Sequence, residues 1–164
     1  MRPADLRLIY EYGYDRNMKL LDQAEKLTEG QFSGEPPFGH DSVRKIFFHI
    51  ANAEYGWRGG WMTGERPESL QLDDYPDLDS IRTLMGENNE KTLAFIDSLT
   101  ESTLDEEFIG VPLWQTMTRL QPRHSTAARS RCSDSLRPLA RDLDLSRFVF
   151  RAEDEGTVTG NREE

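Results

Sequence analysis

The chain has very little of what disulfide and metal chemistry usually require. Its 164 residues include one cysteine and three histidines. One cysteine excludes an internal disulfide, and a chain of this length can bury roughly 70% of its unfolded surface without one. No His-x-x-x-His pair occurs. The arrangement in which one helix presents two ligands to zinc is therefore missing from the sequence.

Long apolar runs and a positive net charge are also absent. The chain contains twenty Lys and Arg residues and thirty Asp and Glu residues. Its net charge of −10 repels nucleic-acid phosphates. No segment approaches the roughly 20 apolar residues of a spanning helix. The first residues lead into an amphipathic pattern that contains acids, unlike a signal peptide. We expect a cytoplasmic protein with neither nucleic acid nor membrane as a partner.

Apolar residues at helical spacing predict four helices. The first covers 4–28, the second follows a cap at Asp41 or Ser42, the third begins near Asp77 or Asp79, and the fourth begins at Pro112. We read 29–40, the run to Pro76 and 100–107 as connections, and find no strand alternation of useful length. The pattern predicts an all-α fold, a four-helix bundle forming a single domain over 1–164, with a flexible tail over 152–164.

Residues 119–141 differ in composition from the rest of the chain. They contain six arginines and one acid, Asp134, a charge of +5, so the other 141 residues carry −15. Pro122 and Pro138 lie where the fourth helix would run, and a proline inside a helix costs about 3 kcal/mol or more. The fourth helix is therefore expected to be disrupted or altered after about residue 118. Cys132 lies in this segment and is given no role.

A shifted reading frame can explain this segment. Read one base later, codons 121–127 can encode Asn-His-Gly-Thr-Gln-Gln-Arg, and later codons can encode a helix followed by Gly and Pro, the usual signals of a helix end. Because the genetic code is degenerate, the shifted frame could also encode other sequences, so this reading is consistent with a frame change but does not prove one. The alternative is a native Arg-rich segment.

His49 is the histidine best placed for chemistry. The spacing puts it beside Ile46, Ile50 and Ala53, toward the predicted buried side of the second helix. A histidine at such a place is either packed and hydrogen-bonded or it is a ligand. Glu54, about one turn further on, could orient a metal-bound water or be a solvated residue. Spacing alone leaves both alternatives open.

Three stretches of the chain resemble the DinB family. They are Tyr-Gly-Tyr-Asp-Arg-Asn at 12–17, Ser-Val-Arg-Lys-Ile-Phe-Phe-His-Ile-Ala-Asn-Ala-Glu-Tyr-Gly-Trp at 42–57, and Pro-Leu-Trp-Gln-Thr-Met-Thr at 112–118. The resemblance covers 5–118 and resumes at 142–144. It implies a damage-inducible-type four-helix bundle that often holds one divalent metal ion, through a histidine of the second helix and two of the fourth. Some such proteins are thiol-dependent transferases or isomerases.

Carried over by position, His49 matches the first ligand of that family. The pair on the fourth helix should follow Thr118, where the printed sequence departs from the family. His124 is the other candidate, although it lies about two positions from the expected site, roughly 200° around a helix. The resemblance thus implies a zinc or nickel site that is incomplete in this sequence.

Two functional hypotheses follow. The first is a DinB-like homodimer, of a family associated with stress responses, whose metal-assisted chemistry on a small, possibly thiol-linked substrate is impaired in this chain. The second is a non-enzymatic homodimeric helical module that binds a partner or an apolar ligand in its cleft, with His49 as a packed residue. Whether the chain is an enzyme stays open at this point.

Overall fold

Three long helices form the framework of the described part of the chain. The structure, a computed structural model, describes residues 1–34 and 41–118. The long helices are α1 (Pro3–Ala24), α3 (Val43–Thr63) and α4 (Leu78–Ser98), and two short helices are α2 (Glu29–Ser33) and α5 (Glu101–Asp105). A hairpin of β1 (Glu107–Phe108) and β2 (Val111–Pro112) follows, and residues 113–118 are helical. The all-α prediction is confirmed.

The predicted helix starts are set by side-chain caps. Ser42 Oγ accepts a hydrogen bond from Lys45 N at 3.2 Å, and Asp77 Oδ1 accepts one from Ser80 N at 2.8 Å. Such caps satisfy amide groups that lack a partner within the first helical turn. The starts of α3 and α4 therefore lie where the sequence predicted them.

α4 lies against both other long helices and joins them into one bundle. Its buried residues lie three or four positions apart, with Phe95 half-buried beside them: Ile81, Leu84, Met85, Asn88, Thr92 and Ile96. One core cluster contains Leu21, Phe47, Ile50 and Met85, and a second contains Leu6, Tyr10, Trp61, Ile96 and Met117. Each large apolar side chain buried this way contributes about 1.5–3 kcal/mol relative to an exposed one.

Two predicted connections contain short α-helices, and the run to Pro76 contains one turn of 3-10 helix at Leu72–Asp74. α2 lies in the segment read as a loop, with Thr28 as its cap, and α5 lies in the polar connection, with Thr100 as its cap. α3 continues through Gly59 and Gly60 to Thr63 and stops at Gly64, a residue with φ of +79°. The expectation that 29–40 and 100–107 are plain connections was wrong, because each contains a short α-helix.

The hairpin before the last helical segment has an unusual tip. Phe108 pairs with Val111, and the two residues between them, Ile109 and Gly110, have φ of +47° and +82°. Two-residue hairpin loops favour positive φ at both positions, which suits Gly or Asn. A left-handed conformation costs an ordinary residue about 1–2 kcal/mol. Ile109 therefore holds a strained backbone.

The predicted fourth helix is described only at its start. Residues 113–118 are helical, and Leu113 and Met117 are buried as the spacing indicated. The predictions for 119–141, its disruption after 118 and the tail at 152–164 lie outside the described residues. No helix in the described ranges is long and apolar enough to cross a membrane.

Candidate metal site and the polar core beside it

His49 lies on the outer face of α3. The residue is exposed, whereas Phe47, two positions earlier, is completely buried. Two residues correspond to about 200° around a helix, so these side chains leave α3 on opposite sides. The prediction that His49 faces the buried side is wrong, because Phe47, Ala51 and Arg58 belong to the buried face and turn it away from His49.

The described residues do not by themselves fit a catalytic metal centre. Within 1–34 and 41–118, no group of three or more His, Cys, Asp or Glu side chains could hold a metal ion. A catalytic zinc normally takes three protein ligands. His49 is the one predicted ligand that the structure places, and His124 lies outside the described ranges, as does His40. A centre with three protein ligands would therefore need at least one side chain from those undescribed parts of the chain.

Glu54 is half-buried and acts electrostatically on the neighbouring helix. Burial raises the pKa of Tyr10 well above its ordinary value, and the Glu54 carboxylate raises it further. Burial also raises the pKa of Tyr14, with a smaller contribution from Glu54. Negative charge at Glu54 opposes a second negative charge on a tyrosinate. Both tyrosines are therefore held in the neutral, hydrogen-bond-donating form.

An aromatic group links α1, α3 and the start of the last helical segment. The Tyr10 hydroxyl donates to Met117 O at 3.0 Å. Its ring meets Trp61 edge to face at 6.4 Å between centroids, and Trp57 stacks on Trp61 at 6.3 Å. Such pairs contribute about 0.5–1.5 kcal/mol beyond their buried area. These aromatic residues pack α1 against α3.

A buried arginine that sequence reasoning missed crosses from α3 to α4. Arg58 is 6% exposed, and its Nη1 donates to Asn88 O at 3.1 Å, Asn88 Oδ1 at 3.0 Å and Thr92 Oγ1 at 3.5 Å. Asn88 Nδ2 donates in turn to Ala51 O at 2.9 Å. Burial lowers the pKa of Arg58, and Glu54 opposes that change. The network fixes the register of α3 against α4.

Two other buried polar atoms lack a hydrogen-bond partner within the described part of the chain. They are Asn17 Oδ1 on α1 and Trp61 Nε1 on α3. An unpaired buried polar atom costs about 1–3 kcal/mol. Chemically, the interior thus combines one free acceptor, one free donor and neutral tyrosine hydroxyls, while the exposed imidazole of His49 stands on the other side of α3.

Comparison with known proteins places the chain in a family. No curated protein matches it. A sequence model described as "DinB family" matches residues 1–121. This range covers most of the chain, includes every described residue, and ends just inside the Arg-rich segment. The chain therefore belongs to the DinB family.

Proposed function

We propose that this chain binds one divalent metal ion, zinc or nickel, with His49 as a ligand, and that its catalytic activity is impaired. The observation that carries the proposal is the exposed position of His49 on α3, at the residue that matches the family's first ligand. A neutral imidazole is a common ligand for both metals. Because His49 stands outside the packed core, a cation can reach it without opening the bundle.

The remaining ligands would come from the segment after Thr118. His124 is the one histidine there, and Asp134, Asp142 and Asp144 add carboxylates. Such a set replaces at least one imidazole with oxygen donors, which favours weaker binding of zinc and nickel than three imidazoles would. When bound, the cation would polarise a thiol or a water and lower its pKa. An incomplete imidazole set supports impaired chemistry on a small thiol-linked substrate.

Metal analysis of the full chain, purified without chelator, tests this proposal. We expect about one metal ion per chain in the wild type. His49→Ala should lose the metal, and His40→Ala should retain it as the matched control. Since His49 is exposed, its substitution should change stability by no more than about 0.5 kcal/mol. Loss of metal would then not reflect unfolding. Substoichiometric metal in the wild type would overturn the proposal.

The family match supports the proposal that residues 119–141 result from a shifted reading frame, either in the gene itself or in the determination of its sequence. The match ends at residue 121, and the Arg-rich segment begins at 119. A fresh DNA read across codons 112–145 tests it. An indel near codon 118 with a compensating one near codon 141 would restore Asn-His-Gly-Thr-Gln and a second candidate ligand. A read that confirms the printed text would exclude a sequencing error and would count against the metal-assisted function, because the chain would then be a degenerate or repurposed bundle.

A second candidate function is a homodimeric binding module without enzymatic activity. The observation that favours it is an apolar strip on the outer face of α1, where Leu8 is 66% exposed, Tyr12 60% and Ile9 38%. Exposed apolar strips of this kind mark interaction surfaces. One variant distinguishes the two candidate functions. The binding module should self-associate equally well in His49→Ala and in wild-type protein, whereas the metal site should be lost in His49→Ala.

A further inference from the structure

The hairpin tip presents an isoleucine that folding alone does not explain. Ile109 is 71% exposed, more than any other large apolar residue in the described ranges, and its φ is +47°. Asn or Gly would adopt this backbone conformation more easily. An exposed, β-branched residue in a strained turn contributes nothing to the stability of the isolated chain. Strain of this kind points to a role in binding.

The tip is held rigidly by the residues on either side of it. Phe108 packs against the core cluster that contains Leu6, Tyr10 and Trp61. Leu113 N donates to Glu106 O at 2.9 Å and closes the base of the hairpin. Because the flanking strands are fixed in this way, Ile109 is displayed in one orientation, and a partner meets it without the loss of loop flexibility that weakens many contacts.

Charge distinguishes the hairpin from the apolar strip on α1. Glu107 and Ile109 are exposed, whereas Phe108 between them packs against the core. On α1, the Arg16 guanidinium lies 4.9 Å from the centre of the Tyr12 ring. Neither Glu107 nor Arg16 belongs to an ion pair between described residues. The hairpin and its base thus carry three exposed acids, Asp105, Glu106 and Glu107. On α1, Arg7 pairs with Glu11 and Lys19 with Asp15, so the charge that the strip adds beyond these pairs is the positive charge of Arg16.

We propose that the hairpin tip of one copy docks on the α1 strip of a second copy, and that the second copy returns the same contact. Ile109 would lie against Leu8 and Tyr12 of the second copy, and Glu107 would pair with Arg16. Reciprocal use of two different patches gives a closed twofold dimer. The contact also brings opposite charges together in a chain whose net charge of −10 otherwise repels its own copies. This inference rests on the second candidate function.

Sedimentation velocity on the full chain tests the proposal, with thermal unfolding measured in parallel. Ile109→Asn should weaken self-association by roughly tenfold or more. Its thermal midpoint, measured at a concentration at which both proteins are monomeric, should stay unchanged or rise, because Asn accepts a left-handed backbone more readily. If Ile109 only stabilised the fold, its replacement would lower both the strength of self-association and the thermal midpoint. Met62→Gln is the control, since Met62 is 58% exposed but belongs to neither surface.

Charge reversal adds an independent arm. Glu107→Arg and Arg16→Glu should each weaken the dimer, and the double variant should recover most of the loss. Wild-type protein that remains monomeric at the highest attainable concentration would overturn both this inference and the dimeric module. If Tyr12→Glu dissociates the dimer while Ile109→Asn does not, the module stands and the hairpin contact is refuted. Neither result bears on metal binding by His49.

Discussion

Replacing Asn88 with alanine should destabilise the bundle strongly, although no charged residue is removed. The Asn88 side chain makes two buried hydrogen bonds, accepting from Arg58 Nη1 at 3.0 Å and donating to Ala51 O at 2.9 Å. A hydrogen bond to a charged group contributes about 1.5–3 kcal/mol and a neutral one about 0.5–1.5 kcal/mol. Loss of both should therefore cost about 2–4 kcal/mol of the free energy of unfolding.

Thermal and urea unfolding followed by circular dichroism would measure this loss. In a domain of this size, 1 kcal/mol corresponds to about 2–4 °C, so the midpoint should fall by about 4–16 °C. Asn89→Ala is the matched control, and it should change stability by no more than about 0.5 kcal/mol. If Asn88→Ala unfolds at the same temperature as the control, the Arg58 network does not hold α3 against α4.

Three further predictions concern single contacts. Tyr10→Phe leaves the Met117 carbonyl without its 3.0 Å partner and should lower the free energy of unfolding by about 1–3 kcal/mol in a urea titration. The pKa of the Asp77 carboxyl is lowered, chiefly because the Ser80 amide donates a hydrogen bond to it. The charged carboxylate therefore stabilises the fold at pH values above the ordinary carboxyl pKa. This stabilisation is lost as the pH falls through the lowered pKa of the folded state. Asp77→Ala should accordingly lower the thermal midpoint at neutral pH, and its difference from wild type should vanish in acid. Gly59→Ala would put a Cβ 2.5 Å from Pro67 Cδ, so calorimetry should show a loss of stability where an unobstructed helix would gain up to about 1 kcal/mol.

The long helices could be predicted because their signals are local. Ser42 and Asp77 cap α3 and α4 through amides three residues away, and a cap with a following apolar stripe is readable from sequence. The same kind of signal was available for α2, where Thr28 and Gln31 form a reciprocal capping pair. That short helix could have been found, but the nearby glycines and prolines favoured a loop.

The orientation of His49 could not be read from spacing alone. Ile46 and Ile50 flank His49 and are buried, but Phe47 and Ala51 are buried too. The centre of the buried face depends on how α4 and α1 pack against α3, and this is not a local property. Arg58 follows Phe47 and Ala51 at helical spacing, and because arginine is usually exposed it argued against the face that is in fact buried.

The β1–β2 hairpin could not be predicted from the sequence, for a different reason. Ile-Gly at a two-residue loop lacks the Asn-Gly or Asp-Gly signal, and each strand has only two residues. The hairpin depends on tertiary contacts such as the packing of Phe108 in the core. Its strained tip is thus a feature that only the folded chain reveals.

Nitrogen NMR of the histidine side chains tests the central claim most directly, because it reports which imidazoles bind the metal. The chain has three histidines, so each signal can be assigned with one His→Gln variant. On addition of zinc to the full chain, we expect the His49 signal to shift to that of a metal-bound imidazole, with His124 following and His40 unchanged. An unchanged His49 signal in the presence of saturating zinc would contradict the account.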